Sequence, residues 1–219
     1  LEAIVRDAYN FPVPLEAVYP RAFILRLDQG PTASFKDFAA RMMARLMSHC
    51  RPEGERLHIL VATSGDTGSA VGEAYKGVEG IDVTILYPAG EVSPMQKKQL
   101  DTIGGNVRAL CVEGKFDDCQ NLVKEAFTDP ELARFNLSSA NSINFGRILP
   151  QIVYYIYAYA QLAGKDEEVV ISVPSGNFGD ALGCEYARRM GLPVAKLIMP
   201  TNENDEFRLY PQTGEYRKV

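Results

Sequence analysis

Residues 57–76, LHILVATSGDTGSAVGEAYK, combine the patterns of a strand, a glycine turn and a helix. Leu57–Ala62 is a continuous apolar run, which is typical of a strand covered on both faces. Small and hydroxyl residues follow, and the pattern over Thr67–Lys76 is that of an amphipathic helix. A strand that leads through a short turn into a helix is the repeating unit of α/β proteins with parallel sheets. This stretch therefore predicts the fold class.

The same alternation of apolar runs and amphipathic stretches extends in both directions along the chain. Further strands are predicted at Val83–Tyr87, Val107–Val112, Val169–Val173 and Lys196–Met199. Further helices are predicted near Phe35–Met47, Pro94–Asp101, Phe116–Phe127, Asn144–Ala163 and Asp180–Met190. The residues from Thr201 onward are polar and charged, and we interpret them as loop or truncated structure.

The helical segment around Ile148–Tyr159 is apolar nearly all round and carries four tyrosines close together. A helix with this pattern is predicted to be buried in the core. A contact between two copies of the chain, as a homodimer, is the alternative, because aromatic residues are enriched at interfaces.

The composition excludes several classes of protein. Hydrophobic residues make up 46% and charged residues 23% of the 219 residues, so disordered and fibrous classes are not expected. The net charge of −5 and the scattered basic residues argue against nucleic acid as a partner. No apolar run approaches the roughly 18 residues of a membrane span, and we expect no secretory signal, because the sequence does not open with a basic region followed by an apolar one. The chain starts at Leu1 and stops in a polar stretch, so we expect a fragment.

The cysteines and histidines predict neither disulfides nor a metal site. The four cysteines show no C-x-x-C spacing, which fits reduced thiols in the cytoplasm. The two histidines have no spacing typical of metal ligands, and His58 is interpreted as a structural residue of a strand.

A lysine at a predicted helix start is the first candidate functional residue. In Gly30–Asp37, GPTASFKD, a Gly-Pro turn leads into the helix, and Lys36 falls in its first turn. The partial positive charge of a helix N-terminus disfavours an ammonium group there, which suits an amine that forms an imine. This segment taken alone favours an ordinary surface lysine.

Two glycine turns between strand and helix are candidate anion sites. Ala62–Ser69, ATSGDTGS, holds four hydroxyl residues and two glycines, which favours anion binding at the helix N-terminus; Asp66 or Thr67 acting as a simple helix cap is the alternative. Val173–Asp180, VPSGNFGD, allows close approach of a phosphate to the backbone but is neither a Walker A loop nor a dinucleotide fingerprint. Two anion turns and an imine-forming lysine together indicate a pyridoxal-phosphate site.

These segments resemble those of threonine synthases. Gly30–Asp37 resembles the H-G-P-T-x-x-F-K-D segment around the Schiff-base lysine of that family, with Gln29 in place of the histidine. Ala62–Gly68 is similar to its A-T-S-G-D-T-G loop and Pro174–Asp180 to its P-S-G-N-F-G-D phosphate loop. Shorter matches occur in the expected order at Ser93–Gln96, at Ser142–Asn144 with Arg147, and at Thr201–Asp205.

The resemblance implies a fold-type-II pyridoxal-phosphate enzyme that converts O-phospho-L-homoserine and water to L-threonine and phosphate. Lys36 would hold the cofactor and shuttle protons. The residues implied to cradle the cofactor phosphate are Ser175, Gly176, Asn177, Phe178 and Gly179. Those implied to bind the substrate are Thr63, Ser64, Gly65, Asp66 and Thr67, with Asn144 and Arg147 as candidates for its phosphate; a place on the helix surface is the alternative for Arg147.

The fold implied by the resemblance is that of tryptophan synthase β, with two parallel-sheet α/β lobes and the cofactor in the cleft between them. Residues 32–129 would form the smaller lobe, and residues 1–31 and 130–219 would form parts of the larger one. Two alternatives for function stay open, because one fold hosts many chemistries. One is another reaction of the same cofactor class, such as that of a dehydratase. The other is a homologue without synthase activity, to which Gln29 points.

Overall fold

The computed structural model describes residues 1–164, 166–204 and 206–215. By its contacts the chain divides into two compact units, Leu1–Pro150 and Gln151–Val219. This division rests on contacts alone, so the lobe boundaries given above stay a prediction.

The first unit is built around a parallel sheet. A helix and a hairpin come first: α1 (Glu2–Ala8), β1 (Leu15–Tyr19) and β2 (Ala22–Leu25). The elements that follow are α2 (Lys36–Cys50), β3 (Leu57–Ala62), α3 (Asp66–Tyr75), β4 (Ile81–Pro88), α4 (Pro94–Asp101), β5 (Val107–Val112), α5 (Phe116–Thr128) and β6 (Leu137–Ser139). The strands lie in the order β5-β4-β3-β6, and every pairing is parallel. The predicted parallel α/β architecture is therefore confirmed.

Helices cover both faces of this sheet. One core joins residues of α2, α3 and α4 to β3 and β4, and Ile59, Tyr75 and Ile85 are fully buried in it. A smaller core on the other face joins α5 to the same strands through Cys119 and Val123. Burial on both faces explains why these strands lack the in/out alternation of a half-exposed strand.

The second unit contains α6 (Ile152–Leu162), β7 (Val169–Ser172), α7 (Gly179–Arg189), β8 (Val194–Ile198) and α8 (Glu206–Thr213). Its two strands pair in parallel. Helix α7 contacts both α6 and β8.

Two predictions for this part of the chain were wrong. The helix predicted from Asn144 begins only at Ile152, after 3-10 turns at Phe145–Arg147 and Leu149–Gln151, because Pro150 lacks an N–H donor and restricts the residue before it. Helix α6 is buried on one face only: Tyr154 and Tyr155 are buried, but Val153, Ile156 and Tyr157 are exposed. The stretch after Thr201, interpreted as loop or truncated structure, contains helix α8, and residues 205 and 216–219 lie outside the described residues.

Strands β1, β2 and β6 were not predicted, because they are short and mostly lack long apolar runs. His58 is half-buried in β3, its Nε2 atom lies 2.8 Å from Thr84 Oγ1, and burial lowers its pKa, which fits the structural role predicted for it. All four cysteines are free thiols. In the described part of the chain, no helix is long and apolar enough to cross a membrane.

Candidate active site

Lys36 is the first residue of α2, as predicted, and a buried carboxylate fixes the turn before it. Asp37 is 1% exposed and accepts hydrogen bonds from the backbone N–H of Thr32 (2.9 Å) and from its hydroxyl (2.7 Å). A Cβ atom at Gly30 would lie 2.5 Å from Asp37 Oδ2, so the turn has room only for glycine there. The contacts of Asp37 with Gly30 and Thr32 thus fix the turn at which α2 begins, and with it the position of Lys36.

The Lys36 side chain is 20% exposed, so it is not an ordinary surface lysine. Its Nζ atom lies 3.8 Å from Asp66 Oδ2 and 4.6 Å from the centre of the Phe35 ring. Asp66 is the first residue of α3, so two helix starts, those of α2 and α3, meet at this ion pair. The amine therefore lies beside the glycine turn that the sequence marks as an anion site.

Thr63 organises the first glycine turn from inside. Its side chain is 1% exposed, and its hydroxyl accepts hydrogen bonds from the backbone N–H groups of Gly65 (2.9 Å) and Gly68 (2.8 Å). Ser64 and Asp66 are exposed. The N-cap residue of α3 is Gly65, and the hydroxyl that accepts from a first-turn N–H is that of Thr63, so the interpretation of Asp66 or Thr67 as a simple cap is wrong.

Two residues that the sequence analysis did not assign to the site support this turn. The Asn141 side chain bonds both backbone groups of Ala62, donating to its carbonyl (2.7 Å) and accepting from its N–H (3.2 Å). Gln96 Nε2 donates to Asp66 Oδ1 (2.7 Å). Gln96 lies in the matched segment Ser93–Gln96, so the sequence did carry a signal for it, but Asn141 had none.

The second glycine turn, in the other unit, is organised by a carboxylate. Asp180 Oδ1 accepts hydrogen bonds from the Ser175 hydroxyl and from the Ala181 N–H (2.8 Å). The Tyr155 hydroxyl donates to the carbonyl oxygen of Asp180 (2.8 Å). Helix α7 begins at Gly179, and the first N–H groups of a helix have no carbonyl partner within it. A Cβ atom at Gly176 would have no atom within 4 Å, so the turn is open above that residue.

Phe178 adopts an unusual backbone conformation in this turn. Its φ of 57° lies in the left-handed region, which is uncommon for residues other than glycine. Its ring stacks on Phe207 of α8 with centroids 4.1 Å apart. The stack gives the strained residue a packing partner on the helix that the sequence analysis missed.

Asn144 and Arg147 make structural contacts in the first unit. The Asn144 side chain accepts from the Gly146 N–H (2.9 Å) and donates to the Ser139 carbonyl (2.9 Å). Arg147 is 4% exposed and donates to the Ala140 carbonyl (2.7 Å). Burial lowers the pKa of Arg147 to about 10, although Tyr75 and Asp37 oppose this shift. The alternative that placed Arg147 on a helix surface is therefore wrong, and the role in binding substrate phosphate stays a prediction.

Gln29 is exposed and lies next to Asp28. Hydrogen bonds from Arg26 and from Gln29 lower the pKa of Asp28. Among the described residues, no cluster of three or more His, Cys, Asp and Glu side chains is placed to hold a metal ion.

Comparison with known proteins identifies the class. Residues 13–219 match the family described as pyridoxal-phosphate dependent enzymes, and the chain belongs to that family. It is 47% identical over 218 residues to the threonine synthase of Haemophilus influenzae, covering 99% of this chain and 51% of that protein.

Solved structures point to the same relatives. The chain superposes on pyridoxal-phosphate-bound threonine synthase from Brucella melitensis with a TM-score of 0.90 at 46% identity, covering 100% of this chain and 49% of that one. For threonine synthase from Escherichia coli the TM-score is 0.91 at 44% identity, with 100% and 51% covered. The relatives of this chain are thus threonine synthases, and the resemblance found in the sequence is confirmed. The chain spans about half the length of the curated relatives it matches.

Proposed function

We propose that the protein carrying this chain is a threonine synthase, which converts O-phospho-L-homoserine and water to L-threonine and phosphate with pyridoxal phosphate. The observation that carries the proposal is the position of Lys36: the amine of a partly buried side chain at a helix start, 3.8 Å from Asp66 of the A-T-S-G-D-T-G turn. The similarity to threonine synthases over 99% of the chain supports the choice of this reaction over a dehydratase.

The residues present fit the cofactor. Lys36 offers a partly shielded amine for its aldehyde. The turn before α7 offers a helix N-terminus and open space above Gly176 for its phosphate, since the dipole and the unpaired N–H groups of a helix start attract anions. The residues proposed to hold the phosphate are Ser175, Gly176, Asn177, Phe178 and Gly179.

Pyridoxal phosphate, when bound, supplies an electron sink that stabilises negative charge on the substrate carbon next to the amino group. The chain's own residues handle the protons and the orientation. Lys36 Nζ is the group that takes and returns protons at that carbon, work typical of a general acid and base. Asp66 Oδ2 stabilises positive charge on Lys36 Nζ, which it faces.

The first glycine turn is proposed to bind the substrate carboxylate. Its backbone is fixed by Thr63, whose buried hydroxyl holds Gly65 and Gly68 in place, so the helix start is already organised before a ligand arrives. The residues proposed to contact the substrate are Ser64, Gly65, Asp66 and Thr67, with Thr63 as their support and with Asn144 and Arg147 for its phosphate.

A homodimer and a cytoplasmic location belong to this proposal as well. They rest on the exposed aromatic and aliphatic face of α6 and on the absence of any cysteine pairing pattern.

The test uses the complete protein with pyridoxal phosphate. We expect a visible absorbance band from lysine-bound cofactor, and release of phosphate from O-phospho-L-homoserine together with threonine. Lys36→Ala should remove both the band and the turnover, whereas Lys98→Ala, an exposed lysine on α4, should retain them.

Each other outcome has a distinct meaning. A band without phosphate release would favour the homologue without synthase activity. A band with release of a keto acid from serine or threonine would favour the dehydratase alternative. No band in the unaltered protein would overturn the assignment of Lys36.

A further inference from the structure

Gln96 is held in one conformation at the start of α4. Its side-chain oxygen accepts a hydrogen bond from the Ser93 N–H (2.9 Å), and the Ser93 hydroxyl accepts one from the Gln96 N–H (3.2 Å). This reciprocal arrangement is a capping box, which satisfies two N–H groups at a helix start. Because the oxygen is fixed in the box, the NH₂ group of the same amide has a defined direction.

That direction is toward Asp66. Gln96 Nε2 donates to Asp66 Oδ1 at 2.7 Å, and the other carboxylate oxygen, Oδ2, is the one that lies 3.8 Å from Lys36 Nζ. A carboxylate held at one oxygen keeps a fixed orientation of the other. Gln96 therefore decides which way Asp66 faces Lys36.

Gln96 also covers the glycine turn itself. A Cβ atom at Gly65 would lie 2.4 Å from both Cδ and Nε2 of Gln96, and Gly65 has a φ of 138°. The Gln96 amide thus packs directly on the backbone of the turn, and this contact is independent of its hydrogen bond to Asp66. Helix α4 and the turn are joined at two points.

We propose that Gln96 is a positioning residue for the Lys36 site: it orients the Asp66 carboxylate and braces the turn at Gly65. This inference deepens the proposed function and rests on it for its effect on turnover. A glutamine meets both needs, since its amide presents an acceptor to the capping box and a donor to Asp66.

Gln96→Glu separates the capping-box contact with Ser93 from the hydrogen bond to Asp66. Glutamate retains an oxygen for the capping box, in which it is a preferred residue, but it replaces the donor with a second carboxylate facing Asp66. We expect kcat/KM with O-phospho-L-homoserine to fall about tenfold or more, since small misplacements at a reacting centre have effects of that order. Gln99→Glu, the same change at a partly buried glutamine three residues further along α4, is the matched control and should stay within about twofold of the unaltered protein, as substitutions away from a site usually do.

A second measurement needs no cofactor. In the cofactor-free complete protein, Gln96→Glu should lower the melting temperature by about 2–4 °C, the shift typical of losing one such interaction. Adding Asp66→Asn should restore most of that loss, because the new amide at position 66 can donate to the carboxylate at 96. Asp66→Asn combined with Gln99→Glu should show no such recovery.

The outcomes distinguish this inference from the proposed function. If the unaltered protein is active and Gln96→Glu retains its kcat/KM, the positioning role is overturned. If stability is not recovered by the double change, Gln96 does not contact Asp66 and the inference also fails. If the unaltered protein lacks turnover, the proposed function fails, while the melting-temperature cycle still tests the contact.

Discussion

The two glycine turns, residues 63–68 and 175–180, both connect a parallel strand to a helix, but different groups hold them. In the first turn, the neutral hydroxyl of Thr63 accepts hydrogen bonds from two backbone N–H groups. In the second turn, the Asp180 carboxylate accepts one hydrogen bond from a hydroxyl and one from a backbone N–H. The first turn is also packed from outside by Gln96, whereas the second is open above Gly176. Packing from inside and outside holds the first turn in shape at Gly65, while the second turn has open space above Gly176.

The largest expected effect is on the first turn. Thr63→Val retains the volume but leaves two buried N–H groups without an acceptor, so unfolding should become easier by about 2–4 kcal/mol. Urea unfolding of the complete protein measures this. Thr63→Ser keeps the oxygen and should recover most of the stability; equal losses in both variants would contradict a role for the hydroxyl.

The two central glycines should respond in opposite ways. Gly65→Ala places a methyl group against Gln96 at a φ of 138° and should cost about 1–3 kcal/mol, through strain and overlap. Gly176→Ala should change stability by less than about 0.5 kcal/mol, because its methyl group meets no neighbour. Yet it should weaken pyridoxal-phosphate binding, measured by titration of the absorbance band. Unchanged affinity would contradict the assignment of this turn to the phosphate.

Asp180→Ala should have a smaller effect on stability, about 1–2 kcal/mol, because the Ser175 hydroxyl is partly exposed and finds water after the carboxylate is lost. Asp180→Asn retains one oxygen for the Ala181 N–H and should lose less. Chemical unfolding of both variants and of Thr63→Val compares how much the Asp180 carboxylate and the Thr63 hydroxyl each contribute to the free energy of unfolding. A larger loss in Asp180→Ala than in Thr63→Val would reverse this ranking.

The smallest effect concerns the helices that follow the turns. Helix α3 has no basic residue in its last turn, but α7 ends with Arg188 and Arg189, whose hydrogen bonds lower the pKa of Glu185 to about 2. A carboxylate with a pKa lowered by folding stabilises the protein above its ordinary value of 4.5, and this contribution is lost as the pH falls toward about 2.

The difference in melting temperature between the unaltered protein and Glu185→Gln should therefore be present at pH 6 and vanish between about pH 4.5 and pH 2. The difference should also be small and shrink in high salt, because both arginine side chains are exposed. A difference that grows in acid would contradict the role of this ion pair.

The sequence predicted the parts of the fold in which pattern and packing agree. Strands such as Leu57–Ala62 and Val107–Val112 were predicted with the bounds they have, because their apolar runs are bracketed by turns. Helix α8 was not predicted because its residues are mostly polar. In the structure its Phe207 ring packs on the ring of Phe178. A contact between residues 29 positions apart leaves no local pattern.

The candidate site shows the same division. Lys36 and both glycine turns lie in contiguous motifs, so the sequence could point to them. Their supports come from elsewhere in the chain: Asn141 reaches back to Ala62, and Gln96 reaches back to Asp66. Sequence motifs contain the groups proposed to contact a ligand. The residues that hold those groups in place are distant in sequence, so only the folded structure shows them.

The two hydrogen bonds between the Asn141 side chain and the Ala62 backbone affect how the edge of the sheet can pair with another molecule. In the described sheet, β6 is an edge strand of three residues and pairs with β3 only up to Leu60. The open N–H and C=O groups of a sheet edge can recruit a strand from another chain and start aggregation. At Ala62 the amide of a single side chain occupies both groups, in the way a neighbouring strand would. These two groups of the edge are therefore already paired within the chain, at the residue before Thr63, and offer no free partner to a strand of another molecule.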